Sequence, residues 1–105
     1  MAERWVRVAA AGDLAPGQFI RIAVGSEEGL LHNVDGTLYC TGSICPHQGR
    51  SLVTGCLEGK RFTCPWHAWV FDVTTGQSPY AFSQAIGRLP VRVENGEVFV
   101  GLPAG

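Results

Sequence analysis

Two short segments constrain this chain more than anything else in it: Cys45-Pro46-His47, and Cys64-Pro65-Trp66-His67, with the sixteen residues from Gln48 to Thr63 between them. Cysteine and histidine at these spacings are metal-ligand types, and each segment offers one of each. The start, Met1-Ala2-Glu3-Arg4-Trp5, has no charged region followed by an apolar run. The expected compartment is therefore the cytoplasm, which keeps thiols reduced, so the chain's four cysteines read as ligands or buried thiols rather than as a disulfide framework.

The pattern around the two segments is that of an all-β protein. Short β-branched or alternating apolar runs recur between Gly, Asp and Asn punctuation, at Trp5–Ala9, Phe19–Val24, Leu30–Val34, Leu38–Thr41, Gly55–Leu57, Arg61–Cys64, Trp69–Val73, Arg88–Val93 and Val98–Gly101. Asp35-Gly36 and Asn95-Gly96 supply the positive φ of two-residue hairpins, so each predicts an antiparallel pair. Asp13-Leu14-Ala15-Pro16-Gly17 reads as one helical turn capped by Asp13 and ended by Pro16 and Gly17. The ligand-bearing segments fall in loops, Gly42–Ser51 and Cys64–Ala68, which one meander of strands can bring face to face.

A chain of 105 residues, 46% hydrophobic and 16% charged, has material for one core, so residues 1–105 read as a single folded domain. Its formal net charge of −1 lacks the basic footprint of a nucleic-acid binder, and no apolar stretch approaches the length of a membrane span.

The pattern Cys-x-His, sixteen residues, Cys-x-x-His resembles the Rieske iron–sulfur family, whose two ligand loops are defined by it. The resemblance extends through the flanking strands over most of the chain. It implies a Rieske-type antiparallel β-sandwich with a cluster-binding subdomain made of the two loops, and one [2Fe–2S] cluster as cofactor. Cys45 and Cys64 would then bind the inner iron, and His47 and His67 the outer one. Pro46 and Pro65 stiffen the loops at fixed φ, and Gly49 permits a sharp turn that lets amides point at sulfur. Ser78-Pro79-Tyr80, after Phe71-Asp72 and Thr75-Gly76, resembles the family's proline-containing cover loop.

Respiratory and photosynthetic members of that family carry an extra cysteine in each loop, joined as a disulfide, at the positions of Arg50 and Trp66 here. They also place serine and tyrosine donors at the positions of Trp69 and Phe71. A cluster lacking those hydroxyl hydrogen bonds has less stabilised electron density, which implies a potential near the lower end of the Rieske range. Ala68 stands where the family usually has glycine. The chain is in these respects similar to the low-potential ferredoxins of multicomponent oxygenases.

The remaining candidates have plainer readings. A structural zinc ion is the competing occupant, although zinc sites usually space paired ligands by two or more residues and only Pro46 separates Cys45 from His47. Cys40 and Cys56 read as small buried hydrophobes. His32 reads as a strand residue on a polar face without a ligand role, Trp5 and Trp69 as packing residues, and Trp66 as the docking candidate.

The implied function is that of a one-electron carrier, not an enzyme, taking electrons from an NAD(P)H-dependent flavoprotein reductase to a terminal oxygenase, as a monomer. The alternative is a small subunit of a nitrite-reductase-like complex. Voltammetry at pH 7 should return a potential near the bottom of the interval of roughly −150 to +300 mV. A strongly positive potential already falling at pH 7 would overturn the reading of Arg50, Trp66, Trp69 and Phe71.

Overall fold

The computed structural model describes residues 2–24, 27–43, 55–63, 70–77 and 87–103. These form ten strands: β1 (Ala2–Ala10), β2 (Phe19–Val24), β3 (Glu27–Val34), β4 (Thr37–Gly42), β5 (Cys56–Glu58), β6 (Arg61–Thr63), β7 (Val70–Asp72), β8 (Arg88–Leu89), β9 (Val91–Glu94) and β10 (Glu97–Pro103). They pair antiparallel into three sheets, ordered β1-β10-β9, β2-β3-β4-β8 and β5-β6-β7. The all-β expectation holds.

Local chemistry sets the hairpins. Asp35 and Gly36 have φ of 52° and 94°, and Asn95 and Gly96 have φ of 52° and 77°. Both pairs supply the left-handed residues that a two-residue turn needs, and they close β3 on β4 and β9 on β10.

The four-stranded sheet is the middle layer. On one face Leu30 packs with Leu57, Phe62, Phe71 and Val73, and Phe19, Val34 and Tyr39 join them. On the other, Ile22, Val24, Leu31 and Cys40 pack with Ala9, Leu14, Val98 and Val100. Successive residues of a strand point to opposite faces, so β3 buries Leu30, Leu31, His32 and Asn33 without a solvent-facing position among them.

That arrangement corrects several sequence expectations. His32 is not on a polar face: its side chain has 0% exposure, because the β5-β6-β7 sheet covers the face it occupies. Cys40 is buried as expected, but Cys56 is exposed, since the β5 alternation turns Leu57 inward and its neighbours outward. The expected run Arg88–Val93 is two strands, because Pro90 has no N–H for a continuous ladder. β8 pairs with β4, whereas β9 pairs with β10, and the Pro90 carbonyl accepts from Gly101 N–H at 2.9 Å. The helical turn falls earlier than expected, as a 3-10 turn over Ala11–Asp13, and Asp13 ends it, its carboxylate accepting from Ala10 N–H at 2.9 Å. Trp5 is half-buried on the β1-β10-β9 sheet, with the Arg92 guanidinium 4.5 Å from its ring centroid.

Burial lowers the His32 pKa from 6.5 to about 4, so the folded protein holds a neutral imidazole at neutral pH. The unfolded chain binds a proton at His32 that the folded one refuses, so stability is full above pH 6.5 and declines as pH falls toward 4. Urea titrations across that interval should show a loss of about 3 kcal/mol. The slope should largely vanish in His32→Phe, and an unchanged slope would assign the acid sensitivity to other groups.

Candidate metal centre

The four candidate ligands, Cys45, His47, Cys64 and His67, lie outside the described residues, as do Arg50, Trp66, Trp69 and Pro79. What the structure does place is the set of strand ends from which those segments spring.

Thr63, the last residue of β6, pairs with Val70, the first residue of β7. The segment carrying Cys64 and His67 therefore joins two strands held in register at both of its ends. On the other side Thr63 pairs with Cys56, the first residue of β5. The return of the first ligand segment and both ends of the second thus stand in one row across the β5-β6-β7 sheet. The first segment departs from β4, where Gly42 N–H donates to the Gly87 carbonyl at 3.0 Å, and Ser43 Oγ donates to the Glu28 carbonyl at 3.3 Å. The chain that follows 78–86 therefore rejoins the fold beside the root of the first ligand segment.

Beneath that row lies an aromatic group. Phe62 is fully buried, stacked on Phe71 with centroids 5.4 Å apart, and edge-on to Phe19 at 4.9 Å and His32 at 5.4 Å. Fully burying such a ring contributes about 1.5–3 kcal/mol, and the edge-on contacts add to it. Phe71, at the position where the resemblance implies a missing tyrosine donor, is committed to this core with 0% exposure.

Gly55 makes the close approach at the return of the first segment. A Cβ there would lie 2.6 Å from the Thr63 carbonyl oxygen and would run into the Phe62 ring. The glycine lets the chain pass directly over Phe62 and into register with Thr63. On the far side of the sheet, Asp72 closes the turn after β7. Its Oδ1 accepts from Thr74 N–H at 2.8 Å and from Thr74 Oγ1 at 2.6 Å, and its Oδ2 lies 3.6 Å from Lys60 Nζ. Partial burial alone would raise the Asp72 pKa, but these donors and the lysine hold it below the usual carboxylate range.

Sequence reasoning passed over Gly55 and Phe62, and it placed His32 on a polar face. Gly55 opens an apolar run and looks like any strand-bounding glycine, while the other two carry no local signal of the partner they meet.

The donor chemistry fits an iron–sulfur group. Two thiolates balance the formal charge of two ferric ions and two sulfides, and two neutral imidazoles complete the set without adding charge. Two segments with three of their four ends in one row are suited to a group that draws one cysteine and one histidine from each.

A three-sheet β fold with a Cys-x-His and a Cys-x-x-His segment between its strands points to a class of small iron–sulfur proteins, and the comparisons agree with it. The family described as Rieske [2Fe–2S] domain matches residues 4–85. The ferredoxin component of the naphthalene 1,2-dioxygenase system of Pseudomonas putida is 34% identical over 103 residues, covering 97% of this chain and 99% of that protein. Among solved structures, the ferredoxin of Sphingomonas yanoikuyae B1 superimposes with a TM-score of 0.85 at 27% identity, covering 95% of this chain and all of that one. A chain from the complex of reduced oxygenase and oxidized ferredoxin in carbazole 1,9a-dioxygenase does so with a TM-score of 0.82 at 34% identity, covering 96% and 95%. The chain belongs to the Rieske [2Fe–2S] family, and the family's cofactor is a single [2Fe–2S] cluster.

Gly55→Ala should lower stability by about 1–3 kcal/mol, because the methyl group meets a backbone carbonyl rather than a yielding side chain. Urea midpoints measure this directly, and cluster-to-protein stoichiometry should fall with them. An unchanged midpoint would show that the close approach is not constraining.

Proposed function

We propose that this protein is a one-electron carrier that delivers electrons to a terminal oxygenase and receives them from an NAD(P)H-dependent flavoprotein reductase. The observation that carries the reading is the almost complete mutual coverage with the naphthalene-system ferredoxin component, 97% of one chain and 99% of the other, joined to three of the four ligand-segment ends aligned in one row. Such a match leaves no extra portion of the relative in which a catalytic centre of its own would be missing here.

In this reading Cys45 and Cys64 hold one iron and His47 and His67 the other, and residues 1–105 act as one domain. The cluster supplies reversible one-electron transfer when bound. The chain's own residues do the rest. The β6–β7 pairing fixes the two ends of the segment that carries Cys64 and His67, and Gly55 and Phe62 set the return of the first segment against it. In sequence, Pro46, Pro65 and Trp66 stand directly beside the candidate ligands, an apolar setting suited to close approach of a partner. The solved oxygenase–ferredoxin complex of the carbazole system supports an oxygenase as that partner. No described helix is long and apolar enough to cross a membrane. The expected setting is the cytoplasm, with the carrier as a monomer.

Natively purified protein should be red-brown, with two irons and two labile sulfides per chain and a rhombic paramagnetic resonance signal only after reduction. His47→Ala and His67→Ala should fail to assemble the cluster, whereas Cys40→Ser and Cys56→Ser should leave the spectrum nearly unchanged. Stoichiometric zinc without sulfide would end this reading.

A further inference from the structure

His32 is a buried, fully enclosed polar side chain in an otherwise aromatic group, and no packing argument requires an imidazole there. Its Nε2 lies 2.8 Å from Thr41 Oγ1, and Thr41 Oγ1 lies 3.1 Å from the Gly42 carbonyl. The hydroxyl has one proton and gives it to the carbonyl, so Nε2–H is the donor to Thr41. Nδ1 then carries a bare lone pair and finds no partner among the described residues. A buried imidazole with one nitrogen unpartnered costs stability relative to a hydrocarbon ring of similar shape.

What His32 touches explains its presence. Through Thr41 it reaches Gly42, whose own N–H is tied to Gly87, so this arm ends at the root of the first ligand segment and at the residue where 78–86 rejoins the fold. Through its ring it meets Phe62 edge-on, centroids 5.4 Å apart, and Phe62 stands beneath Gly55 and two residues before Cys64. One side chain therefore touches the residues that adjoin the roots of both ligand-bearing segments, Thr41 in its own sheet and Phe62 in the facing one. Because each segment supplies one ligand to each iron, any slip of one root against the other is felt at both metals.

We propose that His32 is a positioning residue for the cluster: its hydrogen bond to Thr41, together with its contact with Phe62, fixes the root of the first ligand segment against the root of the second. This rests on the Rieske reading of Cys45, His47, Cys64 and His67 given above. A residue that only filled the core would influence folding stability alone. A residue that sets the separation of the ligand segments also influences the reduction potential and the anisotropy of the reduced-state resonance signal.

The test uses the cluster-loaded full-length chain. His32→Phe keeps a ring against Phe62 and removes the hydrogen bond, Thr41→Val removes the hydroxyl at constant shape, and the double variant combines them. Each is measured for reduction potential, resonance g values, rate of iron release to a chelator, and urea midpoint. The expected result is that both single variants shift potential and g values in the same direction and release iron about fivefold faster, the scale of one lost hydrogen bond. The double variant should shift potential no further than Thr41→Val alone, since His32 acts through Thr41. Lower urea midpoints with wild-type potential, g values and release rate would overturn the proposal, as would additive shifts in the double variant. Should His32→Phe fail to fold, Thr41→Val carries the test, and unaltered potential and release rate in it would be equally fatal. Absence of a Rieske signal in the wild type would instead refute the cluster reading itself.

Discussion

The pairing of Thr63 with Cys56 on one side and Val70 on the other is the constraint from which the ligand end of this protein is built. A cluster held by two segments needs their roots at a fixed separation, and loops alone do not supply it. Here the separation is set by strand pairing, whose neighbouring chains lie about 4.8 Å apart. Phe62 anchors the row from below, so the strands cannot slide without opening the core. A one-residue slip of β6 would turn Phe62 to the other face of its sheet and carry Thr63 out of register with both neighbours.

The middle sheet extends that rigidity through the molecule. β3 has apolar partners on both faces, so the layer carrying the roots of β4 is clamped between the β5-β6-β7 sheet and the β1-β10-β9 sheet. Such a strand reads as a continuous apolar run rather than an alternation. Gly29-Leu30-Leu31-His32-Asn33-Val34 has that character, and the polar members are accommodated by specific bonds. His32 bonds to Thr41, and Asn33 gives Nδ2–H to the Leu14 carbonyl while its Oδ1 accepts from Gly36 N–H at the hairpin.

What was legible in the sequence follows from how local its cause is. The Asp35-Gly36 and Asn95-Gly96 turns were readable because the φ requirement lies within the dipeptide itself. The family was readable from the Cys-x-His and Cys-x-x-His spacing, because metal coordination restricts residue type and separation along the chain. The placement of His32 was not, because whether β3 has one covered face or two is decided by β5, β6 and β7, which come more than twenty residues later. The break at Pro90 was available in principle, since a proline cannot donate to a central ladder, yet the apolar run around it hid the change of sheet. Gly55 was hidden for another reason: its requirement is the absence of a Cβ against Phe62, and that contact exists only in the folded chain.

The two cysteines outside the Cys-x-His and Cys-x-x-His segments show what the scaffold does to thiols that it holds in strands. Iron takes the thiolate, so a thiol held protonated competes poorly for it. Burial pushes the Cys40 pKa up to about 12, and its sulfur sits in the core between the middle sheet and the β1-β10-β9 sheet, among Leu31, Val98 and Val100. Cys56 is exposed on β5 and belongs to the opposite layer, so the two remain free thiols instead of pairing with each other. Its place in the ladder, opposite Thr63, holds its backbone as strand. Strand register and burial thus give Cys40 and Cys56 different surroundings, one enclosed between two sheets and the other turned outward on β5, whose pairing with β6 also sets the return of the first Cys-His segment.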